Sequence, residues 1–395
     1  MLRRDFVETI TAAALAHRSA QMRPAVATLP SLGLCVHLEE IDEWAASTLG
    51  NLPGLAIRGD IFWSHSEVTR SHYAFDETEG VIRLLSPFHF SILAILDYGN
   101  PLYSRGNAPV DSAARRAFAD FAAAAVSRFR ASVGWWQIYN EPNLPQMWRG
   151  PKPDPTAYAE LYDSAYISIK RAAPETKVIP AGMGGADWRF WAQASERART
   201  GPWPVCALHA YRRTDPETII GDVQQAAGSM TPAPRVWITE WGYSRLWRPD
   251  LTEESVSALL HRSYWGAAVA GAEAVFWYHF GTKNPQVPAT GLGFELVDPE
   301  KHRTRRAWDA FVDLYRRSKS ATRIVGRVDG DQWTRLTIDN SGTGEHFFVT
   351  LARQSAKITD IPRESILIRW GDLQSGDADV MVPSTSGGAV IYHRA

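Results

Sequence analysis

Two stretches hold residues that could do chemistry together: Trp136-Gln137-Ile138-Tyr139-Asn140-Glu141-Pro142-Asn143 and Val236-Trp237-Ile238-Thr239-Glu240-Trp241-Gly242. Each is an apolar, strand-like run that ends on one glutamate. A carboxylate at the end of a buried strand is costly unless it is hydrogen-bonded or used. Two of them suggest a paired-carboxylate site. Breaking a glycosidic bond needs such a pair, one carboxyl to protonate the leaving oxygen and one to stabilise or attack the anomeric carbon. Asn140-Glu141-Pro142 alone is an ordinary turn signal; the weight lies in finding both glutamates after β-rich runs.

The elements that must position them alternate. From about Ser31 to about Leu314, short apolar runs are separated by longer amphipathic ones, the pattern of repeated βα units. Eight strands are expected, at Leu32–His37, Leu55–Arg58, Ile92–Leu96, Trp135–Tyr139, Val178–Ala181, Val205–His209, Val236–Thr239 and Ala274–Tyr278. Between them Ser112–Phe129, opened by Asp111 as an N-cap, Ala157–Ala173 and Ser255–Ala270 read as helices. The fold class expected is α/β, a (β/α)8 TIM barrel over residues 31–318. In that fold the catalytic residues sit at the C-terminal ends of the strands. Polar residues cluster there: Arg58 and Asp60 after the second strand, Asn140 and Glu141 after the fourth, His209 and Tyr211 after the sixth, Glu240 after the seventh. Residues 319–395 read differently, as short strands at Trp333–Asp339, His346–Ala352, Ile366–Trp370, Asp379–Val382 and Ala389–His393. That is a small all-β, sandwich-like domain.

Asn140-Glu141-Pro142 on strand four and Glu240 on strand seven resemble clan A of the glycoside hydrolases. The likeness extends to Arg58 in the second strand, to His209-Ala210-Tyr211 in the sixth and to Trp277 in the eighth. Within the clan the chain looks most like family 39 and related exopolysaccharide hydrolases. There a glycine-histidine first strand, here Gly33-Leu34-Cys35-Val36-His37, accompanies an Arg-x-Asp second strand and a C-terminal β domain. The resemblance implies a retaining double displacement of β-linked glycosides, with Glu141 as acid/base and Glu240 as nucleophile. It places Asn140 at the sugar 2-hydroxyl, Arg58 and Tyr211 beside Glu240, and Trp277 under the reacting ring. His37, Trp63, His209 and Trp241 are further candidates for the pocket, and Trp148, Trp188 and Trp191 for extra sugar platforms.

Composition sets bounds. Lys+Arg 42 against Asp+Glu 43 gives a net charge of −1, which argues against nucleic acid as the main partner. No run reaches the roughly 20 apolar residues of a membrane span. The expected partner is an oligo- or polysaccharide. Cys35 and Cys206 are read as two free, buried thiols. Residues 1–30 read as a frayed helix or as an export signal built on Arg3-Arg4. The second reading makes the protein periplasmic or secreted, the first cytoplasmic. Three rivals share the barrel. A metal-dependent hydrolase would use His37, His209 and His279, but no His-x-His or His-Glu-x-x-His spacing is present. A binding protein would have lost its chemistry, yet both glutamates remain. A transglycosylase would use the same site. No metal and no organic cofactor are expected.

Overall fold

The structure is a computed structural model and describes residues 27–283, 293–340, 346–353, 356–358, 366–371, 374–375, 380–382 and 388–394. The export-signal reading of Arg3-Arg4 lies outside these residues. Among the described residues, eight parallel strands alternate with eight helices of eight residues or more. The strands are β1 (Ser31–Cys35), β2 (Ala56–Phe62), β3 (Ser91–Asp97), β4 (Val133–Ile138), β5 (Val178–Pro180), β6 (Val205–His209), β7 (Arg235–Trp241) and β8 (Ala274–Trp277). The helices are α1 (Glu43–Gly50), α2 (Asp76–Leu85), α3 (Ser112–Phe129), α4 (Pro155–Ala172), α5 (Trp188–Arg197), α6 (Ile219–Ala227), α7 (Glu253–Ala270) and α8 (Arg306–Ser320).

Sheet order runs β5-β4-β3-β2-β1-β8-β7-β6. The last seam is closed beyond the end of β5, where Met183 bridges Leu208 and exchanges backbone hydrogen bonds with Ala207 and His209. The chain is therefore a (β/α)8 barrel. Period-2 alternation divides its wall. Cys35, Leu93, Ile179, Val205, Trp237 and Phe276 pack together inside. Leu34, Ile57, Leu96, Trp136, Ile238 and Trp277 join the core between wall and helices. The helices start where the sequence provides caps: Asp111 accepts the N–H groups of Ala113 and Ala114 at the head of α3, and Thr252 that of Ser255 in α7. Gly271 ends α7 at φ +85°, a left-handed turn that suits a residue without Cβ.

Among the described residues, the strands of the C-terminal region pair antiparallel. Strands β9 (Ala321–Asp329), β10 (Trp333–Asn340), β11 (His346–Ala352), β12 (Ile366–Trp370) and β13 (Ala389–Arg394) form one sheet. Its order is β9-β10-β11-β13-β12, with Ala27–Thr28 added at the β9 edge. A small three-stranded sheet from Lys357–Ile358, Gln374–Ser375 and Val380–Met381 lies beside it. The sequence reading starts this sheet at Trp333 and does not foresee β9. Register shifts at Ala321/Arg323 and Ile324/Gly326 break the alternation that would have announced that strand. Helix α7 lies between barrel and sheet and is buried from Ser255 to Ala268. Among the described residues, no helix is long and apolar enough to cross a membrane.

Candidate active site

Arg58 lies at the centre of the barrel mouth, pointing inward from β2 and 2% exposed. Its Nη1 donates to Glu240 Oε1 at 2.7 Å, its Nη2 to Asn140 Oδ1 at 2.9 Å and its Nε to Gln137 Oε1 at 3.1 Å. One guanidinium thus ties β2 to β4 and β7, a use that suits its fixed fork of donors. The Tyr211 hydroxyl donates to the other Glu240 oxygen at 2.7 Å. Both oxygens of Glu240 are held.

Strict alternation along β7, with Trp237 inside and Ile238 outside, would turn Glu240 outward. The pairing slips between Leu208↔Ile238 and His209↔Glu240, and such an irregularity re-aims a side chain. Glu141 is delivered by a different device. Tyr139 and Glu141 take φ values of 67° and 45°, left-handed conformations that are costly for residues with side chains. They bracket Asn140 and set both Asn140 and Glu141 into the mouth.

His209 links the two carboxylates. Its Nδ1 is 2.7 Å from Glu141 Oε1 and 3.4 Å from Glu240 Oε2. Its Nε2 faces Arg58 Nη2 at 3.4 Å. A guanidinium can only donate, so Nε2 is the acceptor and the ring proton sits on Nδ1, directed at Glu141. The ring fits because residue 182 is glycine: a Cβ there would collide with His209 Nε2. Burial alone would push the Glu240 acid up, but His209, Arg58 and the Tyr211 hydroxyl outweigh it and hold that carboxyl below its usual value. Burial pushes the Tyr211 phenol and the Cys35 thiol upward, so both stay protonated. Cys35 lies beneath Arg58 Nη1 at 3.8 Å; it and Cys206 are free and buried.

The network thus brings together Glu141, Glu240, Asn140, Arg58, His209 and Tyr211. His37 points into the same mouth, packed edge-on against His279 with ring centroids 5.1 Å apart, but makes no hydrogen bond to the network. Three tryptophans are elsewhere. Trp63 donates to Glu67 at 2.6 Å and packs on Tyr103 and Phe121. Trp241 and Trp277 lie with it in the core between wall and helices. For Trp277 the reason is parity: Phe276 and Tyr278 point inward, so the residue between them points out. Trp148 and Trp191 are also fully buried, and only Trp188 keeps part of its ring exposed.

Several contributors went unforeseen. Gln137 anchors Arg58, and Tyr98 accepts from Asn140 Nδ2 at 2.8 Å. Tyr278, Phe294 and Trp247 wall the mouth around Tyr211. Gln137 carried a signal, being the one polar side chain of its strand at an inward position. Trp247 and Phe294 are on loops, where no periodicity marks direction. Asp97, buried behind Asp60, was also unforeseen; burial and the neighbouring Asp60 push its acid well above the usual range.

Among the described residues, Glu141, His209 and Glu240 are the three potential metal ligands whose donor atoms come within 4.8 Å of one another. The donor set suits a divalent cation poorly. Glu240 already faces a permanent cation at 2.7 Å, and the proton of His209 occupies the nitrogen nearest both carboxylates. His37, His209 and His279 do not form such a group.

Residues 115–292 match the family model of the glycosyl hydrolase catalytic core. No curated protein sequence matches the chain. Among solved structures, a family 39 glycoside hydrolase from Bacteroides cellulosilyticus WH2 superposes with a TM-score of 0.72 at 18% identity, over 93% of this chain and 81% of the other. A family 39 β-xylosidase from Caulobacter crescentus gives 0.63 at 15% identity, over 94% and 98%. A family 30 endoxylanase from Clostridium papyrosolvens C71 gives 0.59 at 13% identity, over 94% and 98%. The matched core spans β4 to β8 and includes the strands that carry both glutamates and His209. Residues 115–292 thus carry a glycosyl hydrolase catalytic core, in a barrel whose fold is shared with the family 39 and family 30 structures; the activity that this supports is that of a glycosidase.

Proposed function

We propose that the protein is a retaining glycosidase, cleaving β-linked O-glycosidic bonds of an oligo- or polysaccharide through a covalent intermediate on Glu240. The observation that carries the reading is the carboxylate spacing. An oxygen of Glu141 lies within 4.8 Å of one of Glu240. Retaining enzymes hold the pair about 5–5.5 Å apart, whereas inverting ones leave about 6.5–9.5 Å for a water.

In the first step Glu240 attacks the anomeric carbon while the bond to the leaving oxygen breaks and Glu141 gives that oxygen its proton. In the second, Glu141 takes a proton from water, the water oxygen bonds to the anomeric carbon, and Glu240 leaves as a carboxylate. Arg58 and Tyr211 keep Glu240 ionised and aimed. The Nδ1–H of His209 stabilises the charge on Glu141 after its proton has gone. Asn140 spends one amide hydrogen on Tyr98 and has a second for the sugar 2-hydroxyl, a contact that tightens in the transition state. Two of the structural neighbours are named for xyloside and xylan, which makes aryl β-xylosides the first substrates to screen.

The test is a pair of variants. Glu240→Ala should lose nearly all turnover, and added azide should restore it with the anomeric configuration inverted. Glu141→Ala should lose about 10²–10⁴ on glycosides with poor leaving groups, the usual worth of general acid catalysis, and far less on activated aryl glycosides. Wild-type activity in the first variant, or equal losses on both substrates in the second, would sink the assignment.

A further inference from the structure

Among the described residues, the opposite mouth of the barrel is not closed. Its floor contains a cleft of about 450 Å³, within the roughly 300–1,000 Å³ of small-molecule sites. The sequence makes the hole by unequal side chains. Ser31, Ala56, Ser91 and Ala274 leave one side empty, while Trp135 and Trp237 build the other. Above it Phe276 fills the space over Gly33 and packs with Leu93 and Cys35. That layer separates the cleft from Arg58, so it is not the lower part of the catalytic pocket.

Its chemistry is specific. The indoles of Trp135 and Trp237 meet at 4.7 Å and 67°, and Trp135 remains part-exposed. The guanidinium of Arg235 lies 5.7 Å from one ring and 5.9 Å from the other. It pairs with Glu273 at 3.4 Å, with 44% and 47% of the two side chains exposed. Glu273 also accepts the Trp237 indole N–H at 2.5 Å. A donor fork and a carboxylate therefore stand side by side on the rim, next to an aromatic wall. Arg235 and Lys319 against Glu273 leave a net charge of +1 in the lining, and Lys177 stands 5.1 Å from the Trp135 ring; these are single charges spread along the rim, not the dense cluster that a polyanion requires.

A ligand that satisfies all of this has an apolar C–H face and adjacent hydroxyls, able to donate to a carboxylate and accept from a guanidinium. Pyranose rings have both. We propose that the floor cleft is a second carbohydrate site, holding a short stretch of an uncharged glycan on the side of the barrel away from the two glutamates. Such a site would keep a polymer attached while the catalytic mouth works on it. Barrel floors ordinarily serve stability, and the alternative is that Trp135 and Trp237 only pack.

Titration calorimetry of the Glu240→Ala protein with xylohexaose, cellohexaose and mannohexaose separates the two. At least one of these should bind at a second site per chain. Trp135→Ala and Arg235→Ala, each added to that background, should weaken the second site by about tenfold or more. Arg235 is half exposed, so its variant remains informative should Trp135→Ala fail to fold. A single site for every hexaose, or a second one indifferent to Arg235→Ala, overturns the proposal. Failure of the catalytic assignment would show in turnover and leave this binding unchanged.

Discussion

The barrel wall buries charge on both of its sides, and the two sides treat it differently. On the inner side, at the mouth, Arg58 and Glu240 are saturated, but Glu141 uses only Oε1 on His209 and Asn140 retains an amide hydrogen. On the outer side α7 meets the C-terminal sheet, and its buried groups form closed chains. Trp265 donates to the Tyr392 hydroxyl at 2.9 Å, Tyr392 in turn to His261 Nδ1 at 2.5 Å, and His261 Nε2 to the Ala310 carbonyl at 2.9 Å. Beside them Arg262 is held by Asp215 at 2.7 Å and by Glu217 at 2.9 and 2.7 Å. A closed polar network fixes how two parts pack. A network left open toward a cavity has capacity for a substrate. Burial does not distinguish them; the unspent hydrogen-bonding positions do.

The largest effect should come from breaking the inner network at its hub. Arg58→Met removes the cation that offsets Glu240, and stranding one partner of a buried pair costs about 3–5 kcal/mol. Urea unfolding should show that loss. The same variant should move the acidic limb of kcat/KM to higher pH. Arg58 is one of the causes that lower the Glu240 acid; without it that carboxyl protonates earlier as pH falls, and the nucleophile is lost sooner. A limb that stays in place would mean that Arg58 does not hold Glu240.

A smaller effect should come from the outer network, and from pH rather than mutation. Burial pushes the His261 imidazole down to about 4; nearby Asp313 pulls it up in part, and Arg317 adds to the lowering. The folded state therefore refuses a proton that the unfolded chain accepts near 6.5. Stability from this group is complete above about pH 6.5 and is lost as pH falls toward 4, by about 3 kcal/mol in all. His261→Gln, which cannot titrate, should flatten that part of the curve of unfolding free energy against pH. An unchanged slope would show that another group is responsible.

Much of this was legible in the sequence because strands announce themselves. All eight barrel strands fall where short apolar runs occur, and α3 spans Ser112–Phe129 as its Asp111 cap predicts. The meeting of Glu141 with Glu240 was legible through strand count, since strand ends share one mouth. Direction was less so. The bulge that turns Glu240 inward and the left-handed turns around Asn140 are backbone events with no periodic signature. β9 was hidden by its irregular register. The tryptophans misled for a physical reason: large apolar side chains suit a sugar face and a core equally, and only strand parity separates the two.

Trp277 tests that last point and carries the smallest expected effect. It is 2% exposed, on the outer side of β8, and its indole nitrogen has no hydrogen-bond partner. Trp277→Phe opens a small cavity but also removes a buried, unsatisfied N–H, and the two terms oppose each other. Stability should change by about 1 kcal/mol or less, and kcat/KM should stay within about twofold of wild type. A ring lying under the reacting sugar would behave otherwise, because its loss would remove contact area from the bound substrate and leave the fold's core intact. A drop in kcat/KM of about tenfold at unchanged stability would therefore put Trp277 on the inner face and overturn the parity argument for the whole C-terminal end of β8.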